Sequence, residues 1–284
     1  MSIDVVDVSK CYGKNIALDQ ISVSFQKDKI YGLLGRNGAG KTTLMSLITN
    51  QIFPDRGTIT IDGVKVFDNQ HAMGKLYMMT EKKLYPETIR VSEIFRWTDE
   101  FYGGFNHEFA DVLCRRFALN KRKKIKTLST GYSSIYKFIV ALCVKADYIL
   151  LDEPVLGLDA GHREIFYKSL LETYAETPRT FLISTHLIEE VSGMIEDVVI
   201  IDRGRIIRNC SVEELLQSGY NITGSISDVD AYCSNRETIG SDTVGGIKTA
   251  AVLGKADNIP EGLTISPLDL QKLFVSMTEA SEVE

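Results

Sequence analysis

The stretch from Ile30 to Met45, Ile-Tyr-Gly-Leu-Leu-Gly-Arg-Asn-Gly-Ala-Gly-Lys-Thr-Thr-Leu-Met, leaves few folds open to the chain that carries it. It reads as an apolar strand, a glycine-rich turn, then Lys-Thr-Thr opening a helix. Gly35, Gly40, Lys41 and Thr42 hold the defining places of G-x-x-x-x-G-K-[ST]. Such a turn suits a phosphate tail. Glycines let backbone N–H groups crowd around an anion without side-chain clash. The helix start adds unpaired N–H groups and the positive end of its dipole. Lys41 adds a point charge toward the β/γ-phosphates, and the Thr42 hydroxyl can ligate Mg²⁺.

The flanking sequence predicts an α/β core. Residues 2–8 and 19–25 alternate as half-buried strands do. The turn between them carries Tyr12, which either packs locally or offers a ring for an adenine to stack on. Pro54-Asp55-Arg56-Gly57 marks a turn, Thr58 to Ile61 a β-branched strand, and Asp62-Gly63 a hairpin. From Ile89 to Val144 helical spacing takes over, as in Ile94, Trp97 and Phe101, or Phe109, Leu113 and Phe117. This predicts a helical insertion. Tyr148 to Leu151 is a fully apolar strand suited to the centre of a parallel sheet. A helix from Ala160 to Glu176, a strand from Thr180 to Ser184 and a strand pair, Asp197–Ile201 with Arg205–Arg208, close the core. Ser218-Gly219 marks a boundary. Residues 218–284 read as a small appendage, with strands at Ile222–Ile226 and Ile247–Leu253 and an amphipathic helix from Pro267 to Thr278.

Three further places carry chemistry. Asp152 and Glu153 end the buried strand, where open α/β sheets bind their ligands. Asp152 can hold Mg²⁺ and Glu153 can polarise an attacking water, although an acidic pair there can also cap the next helix. His186 follows an apolar strand at the same sheet edge, where an imidazole either serves structure alone or meets a γ-phosphate or orients water. Leu128-Ser129-Thr130-Gly131-Tyr132 opens a helix that Ser129 can cap; it is either only a helix start or a second helix N-terminus able to meet phosphate.

Composition narrows the class. Net charge is −6, from 32 basic and 38 acidic residues, which argues against a nucleic-acid binder. The five cysteines form no CxxC pair, so neither a zinc site nor a disulfide framework is signalled. Acidic residues stand where a signal peptide would be basic. The most apolar run, Ile135 to Leu151, is broken by Lys137, Lys145 and Asp147, so a membrane span is not expected.

Taken together, these motifs resemble the ATP-binding subunit of an ATP-binding cassette (ABC) transporter. The match covers about residues 2–217 and runs in the family's order: Tyr12, the Walker A loop, a Q-loop region at Glu81, the signature at 128–132, Walker B ending in Asp152, Glu153, a D-loop Gly157-Leu158-Asp159, and a switch His186. The resemblance implies a P-loop NTPase fold: a mostly parallel sheet core with an antiparallel β part and a helical subdomain at about 89–145, plus the α+β appendage. Two cassettes would meet head to tail over two ATP molecules. Each ATP would touch Tyr12, Gly35, Arg36, Asn37, Gly38, Ala39, Gly40, Lys41, Thr42 and Thr43 of one subunit and Ser129 and Gly131 of the other, with Asp159 of the D-loop also binding nucleotide. Mg²⁺ would sit among Thr42, Asp152 and Glu81, with Glu153, His186 and Lys41 catalytic. The second cassette would be a copy of this chain or a homologous subunit. A separately encoded permease would supply the membrane and hold the chain at the cytoplasmic face. The tail resembles bacterial cassettes, several of them exporters.

Two positions depart from the family's pattern. Glu81 stands where glutamine is usual, and Ser-Thr-Gly-Tyr where Ser-Gly-Gly-Gln is usual. Both bear on turnover rate. The rival expectation is a cassette ATPase without a transporter, serving for example cofactor assembly.

Overall fold

The computed structural model describes residues 1–280, so the last four residues of the expected appendage lie outside the described residues. The chain opens with β1 (Ser2–Tyr12) and β2 (Asn15–Gln26), then β3 (Ile30–Leu34), α1 (Lys41–Ile48), β4 (Arg56–Ile61), β5 (Val64–Lys65), α2 (Gln70–Met73) and β6 (Leu76–Met79). A helical segment follows: α3 (Val91–Tyr102), α4 (His107–Arg116) and α5 (Thr130–Cys143). The core resumes with β7 (Tyr148–Asp152), α6 (Ala160–Glu176), β8 (Thr180–Thr185), α7 (Ile188–Val191), β9 (Asp197–Asp202), β10 (Arg205–Ser211) and α8 (Val212–Gln217). The tail holds β11 (Gly219–Ser225), α9 (Ile226–Cys233), β12 (Thr238–Val244), β13 (Ile247–Leu253), β14 (Thr264–Pro267) and α10 (Leu270–Ala280).

The central sheet has the order β10-β9-β3-β8-β7-β6. Its pairs are parallel except for β9 with β10. Every residue of β3, β7 and β8 is buried, because both faces of the sheet are covered. The strand period of two divides these residues between two cores. Ile30, Leu34, Ile149, Leu151, Phe181 and Ile183 point into the core built with α5 and α6. Tyr31, Leu33, Tyr148, Leu150 and Leu182 point into the core built with α1 and the antiparallel sheet β2-β1-β4-β5.

The mixed α/β layout agrees with expectation, and the differences are local. β6 has no signal in the sequence. Its four buried residues, Leu-Tyr-Met-Met, are too short a run to show a period. In the tail, Ile226 begins a helix rather than ending a strand, because the Ser225 hydroxyl accepts the Asp228 N–H and caps α9. Pro267 ends β14, and α10 starts only at Leu270, where the Asp269 carboxylate accepts the Lys272 N–H. The tail sheet, ordered β12-β13-β11-β14, has a small core of its own around Ile222, Val229 and Val252. α10 then returns to lie on β12, α7 and α8. Its Leu270, Leu273 and Phe274 share the large core with Ile188, Val191 and Leu215.

Candidate nucleotide site

The site follows from strand register. Leu34 of β3 pairs with Thr185 of β8, and Ser184 of β8 with Asp152 of β7, all parallel. Three neighbouring strands therefore end at one edge of the sheet and release the phosphate loop, His186 and Glu153 side by side. β6, next to β7, ends at the same edge and leads to Glu81.

A cavity of about 470 Å³ opens there. Tyr12, Asn37, Gly38, Gly40, Lys41, Thr42, Thr43, Glu81, Asp152 and Glu153 all line it. Tyr12 is half-exposed, with the Lys10 ammonium 5.8 Å from its ring centroid. Gly35 and Arg36 are not among its lining residues; their carbonyl oxygens accept from Lys41 Nζ at 2.5 and 3.2 Å. Ala39 is buried beneath the loop. Gly40 has φ 113°, and a Cβ there would come within 2.6 Å of Leu18. Only glycine lets the loop turn into α1 so tightly.

Lys41 is only 6% exposed. Burial pushes its ammonium pKa down, while the negative Glu153 and Asp152 work against that shift. The Thr42 hydroxyl donates to Asp152 Oδ2 at 2.9 Å, whereas Asp152 Oδ1 is buried with no hydrogen-bond partner. An orphaned carboxylate oxygen beside a threonine hydroxyl is the donor set a hard cation takes. Among the described residues no cluster of three His, Cys, Asp or Glu side chains could hold a metal by itself.

Beyond Asp152 the chain enters the left-handed region at Glu153, φ 46°. The Glu153 N–H donates to Ser184 O at 2.9 Å, and its carboxylate Oε2 lies 2.8 Å from His186 Nδ1.

Ser129, Gly131, Asp159 and His186 are not among the residues that line this cavity. Ser129 caps α5 by accepting the Tyr132 N–H at 3.3 Å. A Cβ on Gly131 would meet Gly157 O at 2.7 Å, so the signature packs tightly on its own D-loop. Asp159 caps α6: its Oδ1 accepts the His162 N–H at 2.9 Å, and that bond holds its pKa below the usual carboxylate value. Arg163 carries no motif in the sequence. Its side chain donates to Leu158 O at 3.0 Å and to Glu190 Oε1 at 2.5 Å, linking the D-loop to the helix after His186. Lys137 reads in the sequence only as a break in an apolar run. In neither residue does the surrounding pattern reveal the distant partner.

The ABC transporter family pattern matches residues 18–156. An uncharacterized ABC transporter ATP-binding protein of Methanocaldococcus jannaschii, MJ1023, is 30% identical over 75% of this chain and 79% of its own length. The chain belongs to the ATP-binding subunits of ABC transporters. The similarity of this ABC subunit to the ATP-binding protein YtrB of Bacillus subtilis runs through the tail, at 26% identity over 96% of this chain and 97% of YtrB. The ABC cassette MJ0796, solved as a dimer bound to ADP and phosphate, has the same fold at TM-score 0.66 and 20% identity, over 74% of this chain and 98% of that one. No helix among the described residues of this ABC subunit is long and apolar enough to cross a membrane.

Proposed function

We propose that this ABC subunit hydrolyses Mg-ATP between two head-to-tail cassettes and so drives a separate integral membrane subunit. The observation that carries this reading is the split site. One cavity holds Lys41, Thr42, Asp152 and Glu153, while the helix start at Ser129 and Gly131 lies outside it. A second cassette facing the cavity would supply Ser129, Gly131 and Asp159. That MJ0796, a cassette of the same fold, was solved as a dimer bound to ADP and phosphate supports the pairing of two cassettes.

The chain's own groups divide the work. Phosphate oxygens take the place of the Gly35 and Arg36 carbonyls at the Lys41 ammonium. Thr42 and Asp152, with Glu81 at the cavity wall, would hold Mg²⁺, which when bound offsets charge on the β/γ-phosphates. Glu153 accepts the proton of the attacking water, and His186 keeps its carboxylate aimed. Tyr12 offers a ring face to the base. Residues 218–284 serve as an accessory unit to the cassette of residues 1–217.

A second surface supports a membrane partner. A groove lined by Met78, Leu84, Tyr85, Phe101 and Tyr102 lies beside the Glu81 loop. Leu84 is 55% and Phe101 90% exposed. Apolar side chains left open beside the Glu81 loop suit the cytoplasmic part of a permease.

The test is affinity purification of the tagged chain from membranes, with phosphate release measured on the isolated complex. An integral subunit that co-purifies and raises ATP turnover supports the reading. A fully soluble, active enzyme with no such subunit favours the transporter-free alternative.

A further inference from the structure

Lys137 stands in the otherwise apolar stretch of α5, about two turns beyond Ser129. Its Nζ donates to three consecutive backbone carbonyls: Thr80 O at 2.7 Å, Glu81 O at 2.9 Å and Lys82 O at 3.1 Å. An ammonium has three donors, so all of them are spent on one loop. That loop follows β6 and carries the Glu81 side chain to the nucleotide cavity. Among its described hydrogen bonds, the one within the loop is the long contact from Lys82 N to Thr80 Oγ1, 3.3 Å. Its shape therefore depends on the cation from α5. Lys137 is half-buried, which shields these charged bonds from water.

We propose that Lys137 is a positioning residue: it winds the Thr80–Lys82 backbone around its ammonium, holds the Glu81 carboxylate toward the Mg²⁺ side of the site, and ties that loop to the helix that begins at Ser129. The inference rests on the reading of Glu81 as facing bound Mg-ATP. Its mechanical consequence is specific. The signature end of α5 and the Glu81 loop move as one piece, so closure of a second cassette onto Ser129 is felt at Glu81. Arginine would not serve equally, because a planar fork does not meet three converging carbonyls as a tetrahedral ammonium does.

Lys137→Met keeps an unbranched apolar stem and removes the donors. Two measurements test it. Amide exchange over residues 80–83 in the nucleotide-free protein is expected to quicken by about tenfold or more, the effect of losing charged hydrogen bonds to a loop. The Mg²⁺ concentration for half-maximal ATP hydrolysis is expected to rise by roughly ten- to a hundredfold, as when a metal ligand loses its supporting partner. Lys137→Arg should fall between the wild type and Lys137→Met on both scales, and it stands in if the methionine variant does not fold. Unchanged exchange would overturn the latch. Faster exchange with an unchanged Mg²⁺ requirement would overturn the positioning role and leave a purely structural contact. If the wild type hydrolyses no ATP, the functional reading fails, and the exchange comparison still decides whether the latch exists.

Discussion

Glu153 Oε2 and His186 Nδ1 lie 2.8 Å apart within one chain, before any second copy or nucleotide contributes. The pair bridges the ends of β7 and β8. It depends on Glu153 taking φ 46°, a conformation that costs a β-carbon-bearing residue free energy. The Glu153 N–H bond to Ser184 O holds that turn. Strain at this position trades some stability for a carboxylate aimed into the cavity.

Glu153→Gln removes the proposed proton acceptor and leaves the cavity's size and Lys41 in place. ATP binding is expected to persist while hydrolysis falls by about 10²–10⁴-fold, the range for a lost general base. The variant should also accumulate as an ATP-bound dimer in size-exclusion chromatography. Hydrolysis near the wild-type rate would remove Glu153 from the catalytic role.

Glu81 and its two simplest replacements separate a metal-facing role from a bystander. Glutamine keeps one carbonyl oxygen at the cavity wall, and alanine keeps none. Glu81→Gln is expected to retain ATPase activity, and Glu81→Ala to lose roughly ten- to a hundredfold at limiting Mg²⁺. Phosphate-release assays across a Mg²⁺ titration check this, and equal activity in both variants would mark Glu81 as a bystander.

Asp62 ties the antiparallel sheet to the central one. Its Oδ2 takes the Lys75 ammonium at 2.5 Å, and its Oδ1 accepts from Tyr148 OH at 2.7 Å and from Ser2 N at 3.0 Å. Burial works to raise its pKa, but the Lys75 and Tyr148 hydrogen bonds outweigh it, so the folded pKa lies below the ordinary 3.8. A depressed folded pKa means that the contribution is fully present above 3.8 and is lost as pH falls through the lower folded value. Asp62→Asn is therefore expected to destabilise the cassette at neutral pH by about 1.5–3 kcal/mol, the range for charged hydrogen bonds. Denaturation curves of the two proteins should converge at acid pH. A gap that persists below the folded pKa would contradict the assignment.

Much of the site is legible because it is local. Gly35 to Thr43 is one contiguous turn whose glycines, lysine and threonines state their chemistry in order, and Asp152-Glu153 ends a strand whose apolar run marks it as central. Turn chemistry and strand or helix period are short-range properties, so they survive in one dimension. Contacts between segments far apart in sequence are not legible in that way. β6 has too few residues to show a period, yet pairing with β7 makes it a strand and aims Glu81 at the cavity. α10 reads as part of an appendage, but burial of Leu273 and Phe274 in the large core brings it onto α7. Lys137 and Thr80 are 57 positions apart, and only the fold brings the ammonium to that carbonyl. By itself, then, the sequence determined the glycine-rich turn, the acidic strand end and the alternation of strands and helices, because each is set by neighbours along the chain. The tertiary structure alone decided which strand ends lie side by side, what Lys137 and Arg163 grip, and that Ser129 and Gly131 stand outside the Lys41 cavity, because register and burial are settled by segments that meet only once the chain has folded.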